Sequence, residues 1–234
     1  MFLRQRSTQP ELSDSLELSF AEVANNYREI GRMNRLFLHA DPFQRVLPNW
    51  LGAARCAALS LLDVGAGDGS LGRQLERWAT GRGWNWRVTN LDRNPHACRL
   101  SPAGSSVTGS LLELPFPDNH FDVVIASQVT HHLGDEAEVV QHFREAWRVT
   151  REGLLLNDLH RNPALYGLVW LSVRIAGLSA PMRNDALVSV RRGWWLKEWR
   201  ELAAQAGIPD ARVWLYFGSR IILQARKKFA SAPA

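Results

Sequence analysis

The stretch LLDVGAGDGSLG, Leu61 to Gly72, sets Asp63 two residues ahead of Gly65, Gly67 and Gly69, directly after a short apolar run. Glycines in such a loop let a ligand approach the backbone and make positive φ inexpensive, so the loop is suited to a nucleotide. A phosphate-binding loop would end in Gly-Lys-Ser/Thr, and none is present. The dinucleotide fingerprint G-x-G-x-x-G would need glycine where Ser70 stands. Other groups with chemical potential lie downstream. Asp92 closes VTNLD, where a carboxylate can accept hydrogen bonds from a ribose diol. His131 and His132 follow the apolar run FDVVIAS, and NDLHRNP carries Asp158 and His160. Histidine titrates near neutrality and is suited to take a proton from a hydroxyl nucleophile.

These residues need a frame that brings them together. Strands are predicted at Leu59–Val64, Arg87–Leu91, Ser106–Thr108, Phe121–Ser127 and Gly153–Leu159. They alternate with helical segments at Leu71–Trp78 and Glu136–Thr150 and with a helix or turn at Pro95–Arg99. Such alternation implies an α/β fold, a mostly parallel sheet with helices on both faces. Ligands then bind at the carboxyl edge of the strands, where the glycine loop, Asp92, the His pair and NDLHRNP all fall. The run ARVWLYFGSRIILQARK reads as an antiparallel hairpin closing a seven-stranded sheet. Residues 160–193 form an insertion whose apolar helix near Leu165–Leu178 has no strand after it. Residues 1–19 are polar, and Val23, Tyr27, Ile30, Leu36, Phe37 and Leu38 recur at helical spacing. The expected division is an N-terminal helical lid over 1–50 and a catalytic domain over 51–234.

The 234 residues carry a formal charge of +5, but the arginines are scattered. The tight basic groups are Arg191-Arg192 and Arg226-Lys227-Lys228, so no nucleic-acid footprint is expected. Cys56 and Cys98 stand in no metal or redox spacing, and no metal is expected. The N-terminus has no apolar signal core, and ALYGLVWLSVRIAGLSA (Ala164–Ala180) is short for a bilayer span and interrupted by Arg174. The expectation is a cytoplasmic monomer or homodimer with no membrane span.

With Asp63, the glycine triplet, Asp92 and GSLLELPFPDNHFDVVIASQVTHHL (Gly109–Leu133) in this order, the chain resembles the class I S-adenosylmethionine-dependent methyltransferases of small-molecule type over about residues 55–160. The resemblance implies their Rossmann-like fold and S-adenosyl-L-methionine as cofactor. It implies cofactor contacts from Asp63, Gly65, Ala66, Gly67, Gly69, Asp92, Arg93, Ser110, Leu111, Leu112 and Gln128. Ser110 departs from the aspartate common in the family, which shifts weight to the main chain of Leu111 and Leu112. The sulfonium is already a good leaving group, so few catalytic residues are needed. His131, His132 and His160 are the candidate bases, with Asp158 as an orienting partner. An N-terminal helix pair with an insertion after the fifth strand resembles quinone and polyketide-type methyltransferases, which implies a hydrophobic or aromatic small-molecule acceptor. Oxygen is the first expected acceptor atom and carbon the next. Base-amine methylation of nucleic acid would show Asn/Asp-Pro-Pro-aromatic where SQVT stands. A methyltransferase fold that binds the cofactor without transferring methyl is the alternative from another class.

Overall fold

The computed structural model describes residues 3–102, 104–208 and 210–227; Lys228, the end of one of the two basic groups, lies outside them. Helix α1 (Phe20–Leu36) starts on a capping box between Ser19 and Glu22. It is followed by α2 (Asp41–Leu51), the single turn α3 (Ala53–Cys56) and strand β1 (Ala58–Val64). The chain then alternates through α4 (Ser70–Thr80), β2 (Asn85–Asp92), α5 (Pro95–Leu100), β3 (Ser106–Thr108), β4 (Phe121–Ser127), α6 (Glu136–Val149) and β5 (Thr150–Leu159). Two helices, α7 (Pro163–Ile175) and α8 (Ala180–Arg192), occupy the expected insertion. Then come α9 (Leu196–Gln205), β6 (Arg212–Tyr216) and β7 (Arg220–Arg226).

The seven strands are ordered β3-β2-β1-β4-β5-β7-β6. All neighbours run parallel except β7, which is antiparallel to both β5 and β6. This is the mostly parallel sheet with a terminal hairpin that the alternation implies. The period-2 rule sorts the strand residues onto two cores. Leu59, Leu61, Val123, Ile125, Leu155 and Ile222 face one layer; Leu62, Val64, Val124, Ala126, Leu154, Leu156 and Leu223 face the other. The second layer is closed by α6 and by α9 with its buried Trp199, against which Phe143 packs edge-on at 5.5 Å.

Two elements differ from the expectation. The polar surface of LKEWRELAAQ concealed α9, which the sequence reading left without structure; only Trp199, Leu202 and Ala203 turn inward. The N-terminal helix pair does not act as one unit. Phe43, Leu47 and Leu51 recur every four residues on α2 and are buried against β1, β4 and α4, so α2 belongs to the sheet's own core. Of the two helices α1 is the one at the carboxyl edge, where its Ile30 and Met33 and the following Phe37 pack with α7 and α8.

That assignment predicts a contrast measurable by urea unfolding. Leu47→Ala, fully buried, is expected to cost about 2–5 kcal/mol. Leu36→Ala, on the exposed side of α1, is expected to stay within about 0.5 kcal/mol.

Candidate active site

At the carboxyl edge a cavity of about 390 Å³ opens between the sheet, α1 and the α7–α8 insertion. One end is the loop between β1 and α4. Gly65, Gly67 and Gly69 all take positive φ, +72°, +57° and +70°. At the first two, an added Cβ would stand 2.3 Å from Val129 and 2.4 Å from the Tyr27 ring, so packing as well as backbone requires glycine there. Gly69 faces away from the cavity, towards Ser101 and Asn90, and its role is to start α4.

Five of the loop's N–H donors are already engaged. The N–H groups of Gly65 and Ala66 donate to Leu91 O, Gly67 N–H to Asp92 Oδ2 at 2.8 Å, Gly69 N–H to Ala66 O and Ser70 N–H to Asp68 Oδ1. A phosphate nest needs such N–H groups free, so this loop is unsuited to a dinucleotide pyrophosphate. Its charge points the same way, because Asp63, Asp68 and Asp92 all line this end. Asp63 is 1% exposed and its Oδ2 has no hydrogen-bond partner. Burial, then the neighbouring Asp92 and Asp68, push its pKa up to about 8. A buried carboxyl with one unpartnered oxygen among other carboxylates is stable when protonated or when a cation is present.

Around this end stand several other expected contacts. Arg93 lines the cavity, but its guanidinium reaches the carbonyl of Asp14 at 3.1 Å. Ser110, Leu111 and Leu112 also line it, with Leu112 N–H donating to Ser110 Oγ at 3.1 Å. The expected main-chain compensation is thus reduced to Leu111. Gln128, at the end of β4, lines the cavity with φ +55°. Its N–H donates to Asn157 O at 2.8 Å.

The other end is built on Asp158. The last turn of β5 buries this carboxylate completely, and it accepts from His131 N–H at 2.8 Å and meets His131 Nδ1 at 2.7 Å. On the far side of the ring, Nε2 lies 3.5 Å from Glu11 Oε1. Burial alone would push the imidazole down, but Asp158 and Glu11 together override it and raise His131 to about 10. Burial likewise opposes ionisation of Asp158, and His131 holds it below the usual carboxylate range. His132 packs on His131 with ring centroids 4.2 Å apart, its Nδ1 2.8 Å from Asp14 Oδ1.

Glu11 and Asp14 belong to the polar N-terminal stretch in which sequence reasoning found no role. They are held by a clamp. Arg6 donates to His131 O at 2.7 Å, Arg192 donates to His131 O at 2.9 Å and to His132 O at 2.7 Å, and Asp185 accepts from Leu12 N–H and Ser13 N–H. Ser189 Oγ donates to Glu11 Oε1 at 2.8 Å. No sequence signal marks these carboxylates, because residues 1–19 show no periodicity that would set them apart from a solvated segment. Arg192, half of a basic pair in the sequence, is 6% exposed and spent on this clamp.

His160 is not brought to the cavity. Its Nδ1 is engaged by Gly218 O at 3.2 Å and Asn162 Nδ2 at 3.0 Å, and its ring packs edge-on against Trp195. The β5 end curls towards the β6–β7 turn there, so only Asp158 of NDLHRNP faces His131.

Comparison with known proteins agrees with this geometry. Residues 62–156 match the family described as methyltransferase domain. This stretch therefore carries a methyltransferase-domain sequence. Relatives of the domain include the sterol 24-C-methyltransferase of Yarrowia lipolytica, 32% identical over 63% of this chain and 38% of that protein. Another is a ubiquinone biosynthesis O-methyltransferase of Methylobacterium sp., 31% identical over 52% of this chain and 53% of that protein. The chain thus spans roughly two fifths to half the length of these curated relatives. An S-adenosylmethionine-dependent methyltransferase of Aquifex aeolicus shares the fold, with a TM-score of 0.60 at 16% identity over 90% of this chain and 99% of that one. The cofactor of this methyltransferase domain, S-adenosyl-L-methionine, is a sulfonium cation, and the partnerless Asp63 in an acidic, donor-poor loop fits it.

Two measurements follow from this site. Asp63→Asn and Asp92→Ala are each expected to weaken S-adenosylmethionine binding roughly tenfold to a hundredfold by calorimetry, the range for a lost charge-assisted contact. Because His131 is raised from its unfolded value, its contribution to stability is complete below about pH 6.5 and is lost as pH rises towards about 10. Unfolding free energies across that window should fall by up to about 1.4 kcal/mol per pH unit, and His131→Asn should flatten that slope.

Proposed function

We propose that this protein transfers the methyl group of S-adenosylmethionine to a hydrophobic or aromatic small molecule, at oxygen first and at carbon next, in quinone- or polyketide-like metabolism. The observation that carries the reading is the cavity with two unlike ends, an acidic glycine loop and a buried His131–Asp158 pair, separated by apolar walls from α1, α7 and α8. When bound, the cofactor supplies an electrophilic methyl. The chain's residues do the rest.

In the proposed binding, Asp92 accepts from the ribose diol, Asp63 faces the cationic end, and Ser110 to Leu112 with Gln128 border the adenine and methyl. Ile30, Met33, Phe37, Leu165, Val169 and Met182 line the remaining wall and exclude water from an apolar acceptor. Proximity and alignment then carry most of the rate. In its closed arrangement His131 is an imidazolium held between Glu11 and Asp158, and it cannot take a proton. A substrate hydroxyl that displaces Glu11 from Nε2 removes one carboxylate from the ring. His131 then falls towards its ordinary pKa and releases its Nε2 proton to solvent as the acceptor enters, with Asp158 still holding the Nδ1 proton, so that neutral Nε2 can take the proton of the substrate hydroxyl. His132, tied to Asp14, orients the first ring and the N-terminal segment. His160 has no part in this reading.

The alternative, a binding module without methyl transfer, keeps the same cofactor contacts and assigns the pair to structure. Calorimetry with S-adenosylmethionine, its demethylated product and NAD tests the common part: binding of the first two and not NAD is expected, and binding of NAD alone would overturn it. Replacing His131 by Asn should lower kcat on a phenolic acceptor roughly a hundredfold or more, the span of general-base catalysis, with cofactor affinity unchanged. Glu11→Gln should shift the ascending, acidic limb of the kcat/KM profile to lower pH, since Glu11 helps hold the imidazolium protonated in the free enzyme. An unmoved profile would remove His131 as the acceptor.

A further inference from the structure

The helix α7 was the most apolar stretch of the sequence, and the cavity uses only one side of it. Leu165, Val169 and Val173 face inward, against Met33, Phe37 and α8. On the opposite side Leu168, Leu171 and Ile175, spaced for one helical face, are 50%, 51% and 77% exposed. An apolar surface on both sides of a helix leaves one side with nothing to bury it.

Two further apolar side chains flank the same region, both held outward by left-handed backbone. Leu38, directly after α1, has φ +50° and is 64% exposed; Phe217, in the β6–β7 turn, has φ +47° and is 78% exposed. Each is tied to the insertion's surroundings. Phe37, next to Leu38, packs in the α7 cluster, and Gly218, next to Phe217, accepts from Asn162 Nδ2 at the cap of α7. Non-glycine residues adopt this conformation at a cost, and here the cost leaves an apolar side chain in water.

Charge identifies what covers the face. Across residues 28–40 and 163–184 the exposed charged side chains are Arg28, Arg32, Arg35, Arg174 and Arg183. The one carboxylate in these stretches, Glu29, is buried and accepts from Ser179. Arg174 lies over the ring of the half-exposed Trp170 at 3.5 Å, and Arg32 reaches the carbonyl of Gly177 in the turn after α7. An apolar helix face with aromatic residues and a rim of arginines alone is the arrangement of a helix lying in a lipid interface. It repels a second copy of itself, which would bring the same arginines together. Among the described residues no helix is long and apolar enough to cross a membrane.

We propose that the outer face of α7, with Leu38 and Phe217, docks on the surface of an anionic lipid bilayer. Docking there sets the cavity wall formed by Leu165 and Val169 one helix thickness from the bilayer, so an apolar acceptor can pass from lipid to cavity around α7. That last consequence rests on the methyltransferase reading; the docking does not.

Co-sedimentation of the full chain with phosphatidylcholine vesicles, with and without phosphatidylglycerol, tests it. Binding is expected only with phosphatidylglycerol and is expected to weaken as salt is raised. Leu171→Glu with Ile175→Glu should reduce vesicle partitioning at least tenfold with an unchanged thermal midpoint, since both side chains are exposed in the free protein. Arg32→Gln and Arg35→Gln should each reduce it about fivefold, and they serve as the test if the double variant fails to fold. Absence of binding to anionic vesicles at low salt, equal binding by wild type and variants, or equal binding to phosphatidylcholine alone would overturn the proposal. So would a dimer in lipid-free solution that Leu171→Glu dissociates, which would make the face an interface between copies. Calorimetry with S-adenosylmethionine, unaffected by these substitutions, separates failure of docking from failure of the methyltransferase reading.

Discussion

Asp158 sits near the end of β5, the strand beside the central β4, with no contact with solvent, and a carboxylate in that position must be matched by a positive group or protonated. His131 is that group. Its ring and its main-chain N–H both serve Asp158, which fixes the turn after β4 against the end of β5. Because the imidazolium is itself buried, its second nitrogen needs a partner too, and Glu11 supplies it from a segment more than a hundred residues upstream. The carbonyls of His131 and His132 then anchor Arg6 and Arg192. One buried charge thereby fastens the N-terminal segment, α8 and the sheet edge around a single cavity.

The opposite end of the cavity follows the reverse logic. There three aspartates surround a loop whose donors are already used, and the charge on Asp63 is left without a partner. An internally satisfied negative site is stable only with its carboxylate protonated or with a cation present, which is the condition a sulfonium ligand meets. The two ends differ because one negative charge is closed by the protein and the other is left open. Between them the apolar residues of α1, α7 and α8 keep the dielectric low and both electrostatic arrangements strong.

Much of the frame was legible in the residues. Short apolar runs alternating with helical segments placed the five parallel strands, because strands buried on both faces read as nearly continuous apolar stretches, and the glycine loop with Asp92 placed the ligand edge. The reading failed where a residue's surroundings rather than its neighbours in sequence decide its role. LPFPDNHF carries a strong local signal, whereas LKEWRELAAQ looks solvated and still buries Trp199. The helix α2 has the amphipathic spacing of a lid helix and serves the core instead, since spacing reveals that a face is apolar and not what it meets.

The chemistry divides in the same way. The sequence by itself determined the fold class, the position of the glycine loop, Asp63 and Asp92 at strand ends and the His131–His132 pair at the carboxyl edge. Each of these depends on local periodicity, turn geometry and strand direction. Only the tertiary structure decided that Asp158 rather than solvent faces His131, that Glu11 and Asp14 reach the site, and that His160 is turned towards Gly218 and Trp195. Those outcomes depend on long-range burial and on which charge is left to neutralise another, and no stretch of contiguous residues encodes either.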